Sequence, residues 1–279
     1  LKKSEEKQLI KAAQHLFKRL TKTQQIIALL VVAVGFGTYY VVSKSSNHQT
    51  QQQVQQHLQQ QEKVVTATNA SEFLNLTWDG SDTYYVKING GKSTFSASEL
   101  TQNDKTDYWV NFSKQDQLNR ANQANARLSY TQYMKVKKMK RPRIPYNPVG
   151  WYYNHRSNNQ DITFHNTPVT LYNRSHLIAW MFSGDAGSPK NLVTGTRAMN
   201  SPGMQDFETK ISDVLYRDKL HVRYQVTPIY QDSELLPRGI HMMAKSVEDD
   251  GKVCDINVYV FNVQPNYTLD YTTGVGTKK

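Results

Sequence analysis

The chain has 279 residues, a formal charge of +11 at neutral pH and one cysteine. That length accommodates one large domain with appendages, or two small ones. The lone Cys254 excludes an internal disulfide, so a fold outside the cytoplasm has to be held by its apolar core, while the basic excess points to a polyanionic partner, either nucleic acid or an anionic surface.

Residues 1–23 are basic, and Leu9, Ile10, Ala13, Leu16, Phe17 and Leu20 recur at the spacing of an amphipathic helix. No charged residue lies between Lys22 and Lys44. A bilayer needs about 20 mostly apolar residues in a helix, so residues 24–43 are predicted to be a transmembrane signal anchor, with Tyr39 and Tyr40 at the interface. Ser43-Lys44-Ser45 is a poor cleavage site for a signal peptidase, which favours an uncleaved anchor. Positive charge precedes the span and only Lys44 follows it closely. The expected topology is therefore single-pass in the cell membrane, with a cytoplasmic N-terminus and the bulk of the chain extracellular. Residues 44–63 are rich in glutamine and read as a polar stalk that carries the remaining domain, 64–279, off the membrane.

Within 64–279, residues 84–95 read as a β-hairpin turning at Asn89-Gly90-Gly91, and Ser96 to Leu100 as a turn leading on. Leu118 to Ala126 reads as a helix of small residues. From Gln117 to Gln160 there is no acidic residue, while Arg120, Lys135, Lys137, Lys138, Lys140, Arg141 and Arg143 are interleaved with tyrosines. A one-signed run with aromatics suits phosphate-backbone binding, since cations that neutralise phosphates supply sequence-independent affinity. The alternation over Lys135 to Lys140 is also the pattern of an edge strand, on which lysines discourage aggregation. Pro168 to Tyr172 reads as a strand that delivers Asn173-Arg174-Ser175-His176. Residues 202–216 carry a helical apolar stripe. Strands are expected near 220–227, 240–247 and 256–263, with Cys254 a small buried apolar side chain in a strand, and the tail from Tyr271 is expected to fray.

Asn173-Arg174-Ser175-His176 resembles the Asp-Arg-Gly-His signature of the DNA/RNA non-specific endonucleases, the ββα-metal or His-Me finger nucleases. The likeness runs on through Pro189-Lys190-Asn191, Thr194-Gly195-Thr196-Arg197, Asn200 and Phe207-Glu208, and is greatest to the variant in streptococcal secreted DNases and membrane-anchored DNA-entry nucleases. Two positions depart from the commoner signature: Asn173 stands in place of an aspartate and Ser175 in place of a glycine.

The resemblance implies roles. His176 is the expected general base, a neutral imidazole that takes a proton from water. Asn200 is the expected protein ligand of a single divalent ion, Mg²⁺ with Mn²⁺ as the alternative. A neutral amide suffices because Mg²⁺ keeps several waters and takes other ligands from substrate phosphate. Asn200 also precedes Pro202, where a helix N-cap belongs. Glu208 is expected to orient water around the ion, and Asn191 to help order the site. Arg174 is expected to clamp a phosphate oxygen, with Arg197 ranked below it. No His-Glu-x-x-His, Gly-x-Ser-x-Gly or Gly-x-x-x-x-Gly-Lys motif is present.

The expected fold class is α+β, an antiparallel sheet core with a ββα-metal finger, preceded by the single N-terminal transmembrane helix. The expected activity is sequence-non-specific hydrolysis of DNA, and of RNA, outside the membrane, in DNA uptake alongside its machinery or in degradation of extracellular DNA. Two other readings fit the same residues: a surface DNA-binding or adhesion protein on a decayed nuclease scaffold, and a nuclease toxin aimed at competitors.

Overall fold

The basic residues 1–23, the expected span 24–43 and the stalk 44–63 lie outside the residues that the computed structural model describes, Val64–Lys279. Among the described residues no helix is long and apolar enough to cross a membrane.

Chain order begins with a short helix α1 (Ala70–Leu74), strand β1 (Tyr85–Lys87), helix α2 (Ala97–Leu100), strands β2 (Trp109–Phe112) and β3 (Ala124–Leu128), and helix α3 (Tyr130–Lys137). Two small hairpins follow, β4 (Tyr152–Tyr153) with β5 (Arg156–Ser157), and β6 (Asp161–Phe164) with β7 (Thr167–Thr170). Next come β8 (Tyr172–His176), helix α4 (Trp180–Ser183), β9 (Leu192–Thr196) and helix α5 (Gln205–Asp213). The chain closes with β10 (Val222–Ile229), β11 (Gly239–Ser246), β12 (Asp255–Phe261) and the hairpin β13 (Tyr267–Leu269) and β14 (Gly276–Lys278).

Six strands form one antiparallel sheet in the order β1-β12-β11-β10-β3-β2. Side chains alternate across a strand. In β12, Ile256, Val258 and Val260 therefore enter a core shared with Phe207, Ile211, Val214 and Leu215 from α5 and its extension, while Tyr259 and Phe261 pack on the other face with Phe73 and Ile88. Helix α5 is thus held on one face of the sheet by its apolar stripe, which leaves its polar side free to line a site. Cys254 is buried beside β12, as its neighbours in sequence suggested.

Five local expectations are corrected. The tight turn at Asn89–Gly91 forms, but residues 92–95 do not return as a strand, because β1 takes the apolar β12 as its partner. Lys92 and Ser93 are drawn off instead, the Lys92 carbonyl accepting from Asn257 at 2.8 Å and the Ser93 N–H donating to Asp255 at 2.8 Å. Residues 96–100 form α2, closed by a capping box between Ser96 and Glu99. Ala124 to Leu128 is a strand, not a helix: it sits between β2 and β10, where small side chains fit a buried sheet interior and tertiary packing overrides helix propensity. Lys135–Lys137 ends helix α3 rather than forming an edge strand, because Ser129 caps the helix and Val136 alone of that run is buried. The tail is also held, since the Tyr172 hydroxyl donates to the Gly274 carbonyl at 2.9 Å and Asn158 Nδ2 to the Thr273 carbonyl at 2.8 Å.

Candidate active site

Strands β8 and β9 pair antiparallel with His176 opposite Leu192 and Tyr172 opposite Thr196, and the chain then turns into α5. This ββα unit is fastened to the main sheet by two side chains just past β12. Asn262 accepts from the Thr196 N–H at 2.8 Å and donates to the carbonyls of Thr194 at 3.2 Å and Pro237 at 2.9 Å. Gln264 accepts from the Ala198 N–H at 3.1 Å. These two residues carry no motif, so only the fold reveals them.

His176 ends β8 and is 8% exposed. Its Nε2 lies 3.2 Å from the Ala186 carbonyl. A carbonyl can only accept, so Nε2 carries the hydrogen of the neutral ring and Nδ1 holds the lone pair. Burial pushes the ring's pKa down to about 4, with Arg141 adding to the push and the Ala186 bond and Asp185 opposing it. The loop that offers Ala186 is shaped by Asp185, whose Oδ1 accepts from the N–H groups of Gly187 at 2.9 Å and Ser188 at 2.8 Å.

Behind the histidine, buried Asn191 grips the backbone of Ile178 from both sides. Its Oδ1 accepts from the Ile178 N–H at 2.8 Å and its Nδ2 donates to the Ile178 carbonyl at 3.0 Å. Ser175, which replaces the commoner glycine, points into the space beside Gly195. A Cβ at position 195 would come within 2.4 Å of the Ser175 hydroxyl and 2.2 Å of Met199. The departure at 175 is accommodated because 195 is glycine.

The second half of the site hangs from the turn before α5. Residues 199–204 form a wide turn in which Ser201 is extended, and Gly203 lets it lie against Val260, since a Cβ there would meet that side chain at 2.8 Å. Asn200 sits at the mouth of this turn. Its side chain does not cap α5, whose N-cap position is Met204. Glu208, in the first turn of α5, is half-buried, and burial raises its carboxyl to a pKa of about 7 against the opposing pull of Arg141.

A cleft of about 420 Å³ brings these groups together. His176, Asn200, Glu208, Arg197 and Arg141 all line it, with Gln205, Thr209 and Ser212 along the polar side of α5. The Nε of Arg197 is buried there without a hydrogen-bond partner among the described residues. Arg174 lies outside the lining: its Nε donates to Asn147 Oδ1 at 2.5 Å and its guanidinium lies over Trp151, 5.0 Å from the ring centre. Asn191 is likewise behind the cleft rather than in it. Of the basic arm, Arg141 alone reaches the lining, while Lys135, Lys137, Lys138, Lys140 and Arg143 are exposed on α3 and the segment after it. The polar residues Gln205, Thr209 and Ser212 were legible as the helical face opposite Phe207 and Ile211, a signal that the apolar stripe obscured.

Residues 100–248 match the DNA/RNA non-specific endonuclease family. The chain belongs to that family. A deoxyribonuclease of Streptococcus dysgalactiae subsp. equisimilis is 30% identical over 159 residues, and the match covers 46% of this chain and 47% of that protein, so the chain spans about half its relative's length. The solved structure of Sda1 nuclease with a bound zinc ion superposes with a TM-score of 0.60 at 26% identity, covering 71% of this chain and 97% of that one. NucA from Streptococcus agalactiae with a magnesium ion bound gives 0.59 at 26% identity, covering 77% and 99%. The antiparallel sheet with its appended finger is therefore the architecture of this endonuclease family.

Proposed function

We propose that the protein is a divalent-metal-dependent endonuclease that hydrolyses DNA, and also RNA, with little sequence preference. The observation that carries this reading is the convergence of His176, Asn200, Glu208, Arg197 and Arg141 on one cleft. The donor set fits a hard divalent ion. Asn200 offers an amide oxygen and Glu208 a carboxylate, and among the described residues no cluster of His, Cys, Asp and Glu could enclose a metal by itself. An ion that keeps its waters and borrows phosphate oxygens suits such a site, which favours Mg²⁺, with Mn²⁺ as the alternative. The magnesium in NucA supports this choice, and the zinc in Sda1 nuclease supports a divalent ion of either kind. Held by Asn200, the ion would act as a Lewis acid on the scissile phosphate and offset charge at the departing oxygen.

The rest follows from the chain's own groups. His176 is neutral at physiological pH, so its Nδ1 lone pair is available to take a proton from water as the oxygen bonds to phosphorus. A phosphate anion in the cleft favours the protonated ring, which raises its basicity during the reaction. The P–O3′ bond breaks, leaving a 5′-phosphate and, after protonation from solvent, a 3′-hydroxyl. Arg197 and Arg141 neutralise the non-bridging oxygens. Glu208 accepts hydrogen bonds from water beside Asn200 once it is ionised. Arg174, held by Asn147 and Trp151, contacts the strand to one side of the scissile phosphate, and exposed Lys135, Lys137, Lys138, Lys140 and Arg143 contact phosphates further out.

The cellular setting belongs to the same proposal. Residues 24–43 anchor the chain in the membrane with residues 1–23 in the cytoplasm and 64–279 outside, where the activity serves DNA uptake or degradation of extracellular DNA. The test of the chemistry is His176→Ala. With Mg²⁺, the variant is expected to lose at least about 10²-fold in plasmid cleavage, the contribution of a general base, and EDTA is expected to stop the wild type. Undiminished cutting by the variant removes His176 as the base. A DNA mobility shift by the wild type with no shortening of the DNA favours a binding protein on a decayed scaffold.

A further inference from the structure

Gln205, Thr209 and Ser212 put the polar side of α5 along the cleft. Past α5 the chain continues as a wider π-turn, Val214–Asp218, and residue 216, four past Ser212, stays on that side because a π-turn takes about four residues or slightly more. Position 216 is a tyrosine, and it is 49% exposed. Its ring does not fill the core, which at this end of the helix is closed by Val214 and Leu215. Instead it meets the basic arm. The Lys137 ammonium from α3 lies 4.8 Å from the centre of the Tyr216 ring, and Lys219 lies 5.4 Å from that of Tyr130 on the same helix α3. Among the described residues neither lysine is paired with a carboxylate.

We propose that Tyr216, with Lys137 against its ring and Lys219 three residues further along the chain, is a stacking platform for an unpaired base of the strand that leaves the cleft, so that the protein holds single-stranded nucleic acid more tightly than duplex. The inference rests on the cleft being where the phosphodiester lies. Tyr216 is eight residues past Glu208, no more than about 12 Å along the axis at the α-helical rise of about 1.5 Å per residue, which places it beside the nucleotides just outside the cleft. The two ammonium groups neutralise their phosphates. The exposed ring takes the base, since any base offers a π-face to an aromatic side chain. A duplex cannot use the platform without unstacking, because its base faces are already covered by their neighbours.

The experiment measures binding apart from cleavage. The full chain, in detergent and carrying His176→Ala, is titrated in EDTA against one fluorescein-labelled oligonucleotide, single-stranded or as duplex, by anisotropy. Adding Tyr216→Ala is expected to weaken single-strand binding about tenfold, as loss of one stacked base does, and to leave duplex binding, which is carried by phosphate contacts, within about twofold. Tyr216→Phe, which keeps the ring, is expected to bind like its parent. Equal losses on both substrates, no loss on the single strand, or a Phe variant as weak as the Ala variant overturns the proposal. Failure of the nuclease reading shows separately, as DNA left intact by the wild-type chain in Mg²⁺, and does not alter what the binding ratio reports.

Discussion

Asn191 gives the sharpest test of how the base is held. Among the described residues its side chain alone bonds the buried N–H and carbonyl of Ile178, two residues past His176. Asn191→Ala orphans both groups. Each buried orphan costs about 1–3 kcal/mol, so the variant is expected to lose about 2–6 kcal/mol, a large part of the roughly 5–15 kcal/mol that a domain has. The backbone bond from the Leu177 N–H to the Asn191 carbonyl at 2.9 Å survives the substitution and keeps the loop in place at low temperature. Asn191→Asp keeps the acceptor for the Ile178 N–H but sets a carboxylate against the Ile178 carbonyl, so at neutral pH it is expected to be at least as unstable as the alanine variant. Urea unfolding followed by tryptophan fluorescence reads both numbers. Cleavage kinetics on the folded alanine variant are expected to show a fall in kcat with KM little changed, because His176, the proposed base, is displaced and the proposed phosphate contacts are not. An alanine variant within about 0.5 kcal/mol of wild type, or an aspartate variant as stable as wild type at neutral pH, refutes the view that this side chain clamps the segment after His176.

Two further outcomes follow from the geometry. Arg197 lines the cleft and Arg174 does not, so Arg197→Ala is expected to lower kcat/KM about 10²-fold, as loss of a charge-stabilising donor does, and Arg174→Ala by less; steady-state cleavage of a defined DNA ranks the two, and the reverse order would return the phosphate clamp to Arg174. The depressed pKa of His176 predicts the pH dependence of stability. The folded ring titrates near 4 and the unfolded one near the ordinary imidazole value of 6.5. Below 6.5 the unfolded chain takes up the proton first, so this residue's contribution is full above pH 6.5 and is lost as pH falls towards 4, by up to about 3 kcal/mol. Urea midpoints measured in EDTA across that window are expected to fall for the wild type relative to His176→Ala. Parallel curves would show that burial does not keep the ring neutral.

Much of the site was legible because its chemistry is written in short stretches. The run from Asn173 to His176, the asparagines at 191 and 200 and the glutamate at 208 carry a recognisable order and spacing, and α5 and strands β10 to β12 announce themselves by their apolar periodicity. What the sequence could not decide was set by competition between distant segments. Residues 84–88 had a well-formed turn and a nearby partner, yet Tyr85–Lys87 pair with β12, far along the chain, and form the edge of the main sheet. Ala124 to Leu128 had helix-forming residues, yet they fill the middle of the sheet because their backbone pairs with β2 on one side and β10 on the other and buries Ala124, Ala126 and Leu128. Local propensity counts what a segment prefers alone, while pairing and burial are decided by what lies across from it. The same holds for function. The sequence by itself determined which groups are present and what each can do to a phosphate. Only the tertiary structure decided that Arg141 and Arg197 face His176 while Arg174 is turned towards Asn147 and Trp151, because the direction of a side chain depends on the strand it hydrogen-bonds to and the surface it packs against.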